Sequence, residues 1–256
     1  MIAITGATGQ LGHYVIKSLM KTVPASQIVA IVRNPAKAQA LTAQGITVRQ
    51  ADYGDEAAVE KALAGVDKLL FISSQPGGAV TRADQHKNVV EAAKNAGVGY
   101  VAYTSFPKAS ESDNWLAADH KLTEKLLKES GLKHSFLRNN WYSENYLADA
   151  AHAAETGIRY GAAQDGKISA APRADYAEAA AKVLASSGHE HKIYELAGST
   201  SFTLADLASY IANASDKAVD YQNISAEDYT QALTAADLPS ALINVIVDAD
   251  IQTAKG

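Results

Sequence analysis

The 256-residue sequence contains no cysteine. Disulfides, thiol nucleophiles and Cys-ligated zinc or iron–sulfur centres are thereby excluded, and the count fits a reducing compartment. The seven histidines form no HExxH pair, so a zinc hydrolase has no ligand set and no metal site is expected. No apolar run approaches the roughly 20 residues that a membrane-crossing helix needs. An excess of positive charge is lacking too: 23 Lys and Arg face 28 Asp and Glu, a formal net charge of −5. That balance gives no basic footprint for nucleic acid or an anionic membrane, and neither is expected as a partner. Met1-Ile2-Ala3-Ile4-Thr5 runs straight into a glycine turn, without the basic flank or cleavage site of an export signal. With 47% hydrophobic and 20% charged residues, the composition is that of a globular chain, and a cytoplasmic location is expected.

What is present is a regular alternation. Short β-branched runs at Ile2–Thr5, Ile28–Val32, Thr47–Gln50, Lys68–Ile72, Tyr100–Thr104 and Ser135–Arg138 read as strands. Several are apolar throughout, as strands covered by helices on both faces must be. Helical patterns lie between them, near Leu11–Lys21, Ala36–Gln44, Glu56–Leu63, Asp84–Ala96 and Asp119–Glu129. Gly45, Gly65, Gly97 and Gly131 each fall just past a helix, where a left-handed cap favours glycine. Alternating βα units of this kind predict an α/β fold, a Rossmann-like doubly wound parallel sheet. After Arg138 the rhythm loosens into a stretch holding Gly157, Gly161 and Gly166. A helix over Asp175–Ala185, a strand over Lys192–Leu196, an N-cap at Thr203 and helices over Ala226–Ala236 and Ala241–Asp250 follow. The expected division is a nucleotide-binding domain over 1–150 and a small, mostly helical substrate lobe over 151–256, interleaved with the last strands of the sheet.

Thr5-Gly6-Ala7-Thr8-Gly9-Gln10-Leu11-Gly12 stands at the first strand–helix junction with the spacing GxxGxxG. Gly6 permits a tight turn, Gly9 lets backbone approach a pyrophosphate, and Gly12 lets the helix lie close on the strand. The first N–H groups of the helix then face the anion. The second strand runs into Val32-Arg33-Asn34-Pro35-Ala36-Lys37, without the carboxylate that would accept from a ribose 2′-hydroxyl. Arg33 can instead grip a 2′-phosphate and Lys37 can add a second charge, which favours NADP(H); the bland alternative is a solvated Arg at a helix start. Asp52 follows the third strand, where it either accepts from the adenine amine or caps the next helix. Ser73, Ser74 and Gln75 end the fourth strand beside the nicotinamide half, and the loop through Pro76-Gly77-Gly78 is expected to be mobile or close to ligand.

These residues resemble the NmrA-like branch of the atypical short-chain dehydrogenase/reductases. The likeness runs through the opening glycine turn, Val-Arg-Asn-Pro-Ala-Lys-Ala, Gln50-Ala51-Asp52-Tyr53 and Tyr103-Thr104-Ser105. It continues through Leu137-Arg138-Asn139-Asn140-Trp141-Tyr142-Ser143-Glu144-Asn145-Tyr146 and Arg173-Ala174-Asp175-Tyr176-Ala177. The resemblance implies reduction of a quinone by NADPH. It also implies a further helix or two in relatives beyond the position of Gly256. In the wider superfamily a Tyr-x-x-x-Lys pair supplies the proton. Here Leu116 occupies the tyrosine place and His120 the lysine place, and the resemblance implies that the branch shares the absence of a phenolic acid there.

A quinone tolerates that loss, because hydride transfer gives a delocalised hydroquinone anion that takes its proton from water. Positioning is then the protein's main task, and neither flavin nor metal is needed. His120 either binds the nicotinamide ribose or donates a proton, or else is an ordinary surface residue of its helix. Asn139, expected at the cofactor, and Asn140 and Tyr142, expected at the acceptor, follow the sixth strand. The asparagines can hydrogen-bond amide or quinone oxygens and the aromatic rings can stack, the alternative being a buried turn with Trp141 as core filler. Tyr103 can replace the missing acid only if it points into the cleft, and Arg173 either reaches ligand or caps a helix. Two other readings stand: an NADP(H)-binding redox sensor without turnover, and a reductase of triphenylmethane or azo dyes. A homodimer is left open.

Overall fold

A computed structural model describes residues 1–75 and 79–256 of the chain, so the expectation for Pro76-Gly77-Gly78 lies outside the described residues. Two compact units emerge. The first comprises residues 1–139 and 172–196, and the second residues 140–171 and 197–256.

In the first unit, strands β1 (Ile2–Ile4), β2 (Ile28–Val32), β3 (Thr47–Gln50), β4 (Lys68–Phe71), β5 (Tyr100–Ser105), β6 (Lys133–Asn139) and β8 (Ile193–Leu196) form one sheet. Its order is β3-β2-β1-β4-β5-β6-β8 and every pairing is parallel. The expected doubly wound fold is borne out. The central strands β2 and β5 are buried along their whole length, which is why neither shows the apolar–polar alternation of a half-exposed strand. Order reverses between β1 and β4, and in such sheets ligands bind outside the carboxyl ends of the strands at that switch.

Helices α1 (Gln10–Leu19) and α8 (Arg173–Ala185) pack together, as do α3 (Glu56–Ala62), α4 (Arg82–Asn95) and α5 (Ala117–Glu129) in sequence. Val59, Leu63, Val89, Val90 and Leu127 from the second group meet Val29, Ile31, Leu69, Phe71, Val101, Tyr103 and Phe136 from the strands in one core. The four glycines expected as helix caps all take left-handed backbone, at φ of 84°, 72°, 71° and 79° for Gly45, Gly65, Gly97 and Gly131. The expected helix over Ala36–Gln44 is tighter than predicted, a 3₁₀ turn over Pro35–Ala38 leading into α2 (Gln39–Ala43). Asn34 starts it by accepting from the Ala36 N–H at 3.0 Å, with Pro35 behind it fixing the first φ.

The boundary falls at Asn139 rather than 150, because β6 ends there and the chain returns at Pro172 to add α8 and β8 to the sheet. The second unit is less helical than its sequence suggested. Besides α6 (Ser143–Tyr146), α7 (Ala150–Thr156), α9 (Leu204–Ser215), α10 (Ala226–Ala235) and α11 (Ser240–Lys255), it holds a parallel pair, β7 (Ile158–Gly161) with β9 (Asp220–Asn223). Thr203 does cap α9, in a reciprocal capping box with Asp206. Among the described residues, no helix is long and apolar enough to cross a membrane.

Candidate functional site

The turn after β1 is anchored before it bends. The Thr5 hydroxyl is fully buried, donates to Leu70 O at 3.2 Å and accepts from the Ile72 N–H at 3.0 Å, tying β1 to the end of β4. Gly6 then takes φ +58°, a left-handed conformation that its neighbours could not adopt cheaply. Gly9 is the N-cap of α1 and offers no side-chain bond, and no Asp or Glu stands in the first turn. The N–H groups of that turn therefore keep their positive end for an incoming anion. Gly6, Thr8, Gly9 and Gln10 are exposed, whereas the Leu11 side chain is buried, so Leu11 has only its backbone to offer a ligand. A Cβ on Gly12 would run into Gly6 O and lie 2.8 Å from Ala7 Cα. Gly12 thus fits the helix against the turn itself, where the sequence reading had it fitting the strand.

Arg33 and Lys37 are both exposed just past the end of β2. None of the ion pairs among the described residues involves either cation. Asp52 does not cap α3: its carboxylate accepts from the Gly54 N–H at 2.8 Å, while Asp55 caps the helix through the Ala58 N–H at 3.0 Å. The capping alternative for Asp52 is overturned, and its carboxylate is exposed.

At the carboxyl ends of β4 and β6 the side chains are incomplete. Among the described residues, Ser74 Oγ and Asn139 Oδ1 are buried without a hydrogen-bond partner. Buried polar groups are nearly always paired. Two orphans at the carboxyl ends of β4 and β6 fit a hydroxyl- and amide-bearing cofactor. Ser73 is held by its N–H to Thr104 Oγ1 at 2.9 Å, and Gln75 is exposed.

His120 differs from the sequence expectation. It is buried on α5, and both ring nitrogens have partners within the protein. Arg82 Nη2 lies 3.0 Å from its Nε2; since a guanidinium only donates, Nε2 accepts and the proton sits on Nδ1. Nδ1 then donates to Tyr103 Oη at 2.8 Å. His120 is therefore a neutral structural donor, not a proton source or a ribose ligand. Tyr103 is fully buried and burial raises its phenol pKa, so it does not replace the missing acid either. The parity of β5 turns it into the core.

His86 on α4, which the sequence reading passed over, belongs to the same cluster. Its Nε2 accepts from the Ser74 N–H at 3.0 Å and its Nδ1 donates to Thr123 Oγ1 at 2.7 Å. Burial, and then the charge of Arg82, lowers its pKa from 6.5 to about 3. The unfolded state therefore takes up this proton first. The stability His86 contributes is whole above about pH 6.5 and drains away as pH falls towards 3. The expected loss at pH 5 is about 2 kcal/mol. Thermal melts of wild type and His86→Gln between pH 7 and 5 check it: the variant is expected to show the shallower decline, and equal slopes exclude it.

Asn140, Trp141 and Tyr142 fall in the second unit. Asn140 Oδ1 accepts from the Trp141 N–H at 2.8 Å, Trp141 packs against that unit's core, and Tyr142 bridges in parallel to Ala171. Arg173 is the first residue of α8.

A model of the NAD(P)H-binding family matches residues 6–187. Quinone oxidoreductase 2 of Escherichia coli is 61% identical over 256 residues, 100% of this chain and 89% of its own length. A crystal structure of the E. coli NADPH-dependent quinone oxidoreductase complexed with NADPH aligns at a TM-score of 0.97, covering 100% of this chain and 90% of that one. The Citrobacter sp. triphenylmethane reductase complexed with NADP(H) aligns at 0.96 with 40% identity, again over 100% of this chain and 90% of that one. An NmrA-like family domain-containing oxidoreductase of Aspergillus flavus is 31% identical over 236 residues, 90% of this chain and 76% of its own. The chain belongs to the NAD(P)H-binding family, in its NmrA-like, atypical short-chain dehydrogenase/reductase branch. The resemblance read from the glycine turn and the Asn-Asn-Trp-Tyr segment is borne out.

Proposed function

We propose that this chain is an NADPH-dependent quinone reductase that needs neither flavin nor metal. The observation that carries the reading is the fate of the candidate acids. Leu116 stands where the superfamily has its tyrosine, while Tyr103 and His120 are buried and committed to each other. A site with a nucleotide turn and no poised acid suits an acceptor whose reduced anion is delocalised and can take its proton from water. The E. coli relative reported above, a quinone oxidoreductase that binds NADPH, supports the same reading.

NADPH supplies the hydride when bound. The first turn of α1, with Gly6, Thr8, Gly9, Gln10, Leu11 and Gly12, holds the pyrophosphate. Arg33 and Lys37 take the 2′-phosphate, and Asp52 takes the adenine amine. Ser73, Ser74, Gln75 and Asn139 orient the nicotinamide half, so that one face is presented to the acceptor. Asn140 and Tyr142 directly follow Asn139 in the chain and are assigned to the quinone, by hydrogen bond and by ring stacking. A cytoplasmic location suits this use of NADPH.

The test is NADPH oxidation followed at the reduced-nicotinamide band, with a simple benzoquinone and no added flavin. Enzyme-dependent loss of NADPH supports the reading. Saturable NADPH binding without any acceleration transfers the weight to a redox sensor, and turnover confined to triphenylmethane dyes transfers it to a dye reductase. In Arg33→Ala the preference for NADPH over NADH is expected to fall about ten- to hundredfold, the worth of a charge-assisted phosphate contact. Measured kcat/KM for both cofactors decides this, and an unchanged ratio removes Arg33 from the 2′-phosphate site.

A further inference from the structure

We propose that Arg82 and His86 are positioning residues that clamp the backbone of Ser74 from both sides and so hold its hydroxyl towards the cofactor. The proposal rests on the reading of this site as an NADPH site. Arg82 and His86 stand one turn apart on α4 and share a face. Arg82 Nε donates to Ser74 O at 2.8 Å, and His86 Nε2 accepts from the Ser74 N–H at 3.0 Å. Both backbone polar groups of one residue, just past the end of β4, are thus taken by side chains of a single helix. The Ser74 hydroxyl is the part left over, buried and without a hydrogen-bond partner among the described residues.

Each arm of the clamp is itself held. His120 accepts from Arg82 Nη2 at 3.0 Å and is fixed in turn by Tyr103, while His86 is fixed by Thr123 Oγ1 at 2.7 Å. Thr123 Oγ1 donates to the Asp119 carbonyl at 2.7 Å, which ends the chain on backbone. A hydrogen-bond chain that ends on a carbonyl has no outlet for a proton, so the cluster is built for orientation and not for relay. Arg82 is almost wholly buried, and the nearest carboxylate oxygen, on Asp119, is 3.7 Å away. A guanidinium kept in that position, with its carboxylate partner at 3.7 Å and its Nη1 without a hydrogen-bond partner among the described residues, costs stability, as groups retained for function commonly do.

A double-mutant cycle on NADPH binding to the full chain, read by fluorescence titration, tests the clamp. Ser74→Ala and Arg82→Ala are each expected to weaken NADPH binding about tenfold. If Arg82 acts through Ser74, the double variant binds no more than about twofold worse than either single one. Arg82→Lys is expected to recover part of the loss, because an ammonium still donates to Ser74 O. Wild-type affinity in Arg82→Ala, or a double variant weakened by the product of the two effects, overturns the proposal. Should Arg82→Ala fail to melt cooperatively, Arg82→Lys and His86→Gln replace it in the same cycle. A wild type that does not bind NADPH sinks the clamp and the cofactor reading together. Intact coupling in a protein that leaves quinones unreduced sinks only the proposed activity.

Discussion

Gly12→Ala is expected to weaken NADPH binding by about a hundredfold or more while leaving the chain folded. The added Cβ meets backbone: Gly6 O, Ala7 Cα at 2.8 Å and Gly6 C at 3.0 Å. No side-chain rotation relieves such a clash, so either the turn or the first turn of α1 has to move. The turn side is fixed, because Thr5 is bonded to Leu70 O and the Ile72 N–H, and the Gly9 N–H closes on Gly6 O at 2.9 Å. The helix is what gives, carrying the N–H groups of its first turn out of line. A displacement of about 1 Å at a positioned site costs on the order of 10²-fold. The stability loss is smaller, about 1–3 kcal/mol, the usual range for overpacking. Gly9→Ala provides a graded control, since its Cβ would lie 3.1 Å from Gly6 O alone. Fluorescence titration with NADPH beside a thermal melt measures both quantities. A Gly12→Ala protein that binds NADPH like wild type refutes this account of the turn.

That turn was legible from sequence because its chemistry is local: the glycines, the strand before them and the helix after them lie within a dozen or so positions. The same holds for the β-branched runs of the sheet, for the cap glycines, and for Arg33 standing where a carboxylate was absent. The clamp around Ser74 was not legible. Arg82 and His86 come from α4, Tyr103 from β5, and Thr123 with His120 from α5, so only the packed fold brings them together. Tyr103 illustrates the limit: which way a strand residue points depends on sheet parity, and here parity sends it into the core. The β7–β9 pair escaped for a different reason. Asp220-Tyr221-Gln222-Asn223 is polar and short, with none of the alternation that marks a half-buried strand.

Glu124→Ala is expected to be among the most destabilising single substitutions in the first unit. Glu124 receives Arg138 in a two-pronged pair, Nε to Oε1 at 2.9 Å and Nη2 to Oε2 at 2.8 Å, and also accepts from Ser105 Oγ at 2.6 Å. Both side chains are almost wholly buried, at 7% and 3% exposure for Arg138 and Glu124. The hydrogen bonds to Glu124 hold the Arg138 pKa above its ordinary value. With Glu124 gone, Arg138 keeps Glu195 at 2.8 Å, a half-exposed partner that solvent screens, and Ser105 loses its acceptor. Removing one member of a buried pair costs about 3–5 kcal/mol. At roughly 2–4 °C per kcal/mol for a chain of this size, the melting temperature is expected to drop by roughly 6–20 °C. Function follows through the chain itself, because Arg138 directly precedes Asn139, whose buried amide oxygen is one of the two orphans assigned to the cofactor. Loosening the end of β6 therefore weakens NADPH binding even at temperatures where Glu124→Ala remains folded. The double variant Glu124→Leu with Arg138→Met separates the two effects. Replacing a buried pair by apolar side chains is often neutral or stabilising, so the melting temperature should return towards wild type. If Glu124→Ala melts within about 2 °C of wild type, the pair is not what holds the carboxyl ends of β5 and β6 in register.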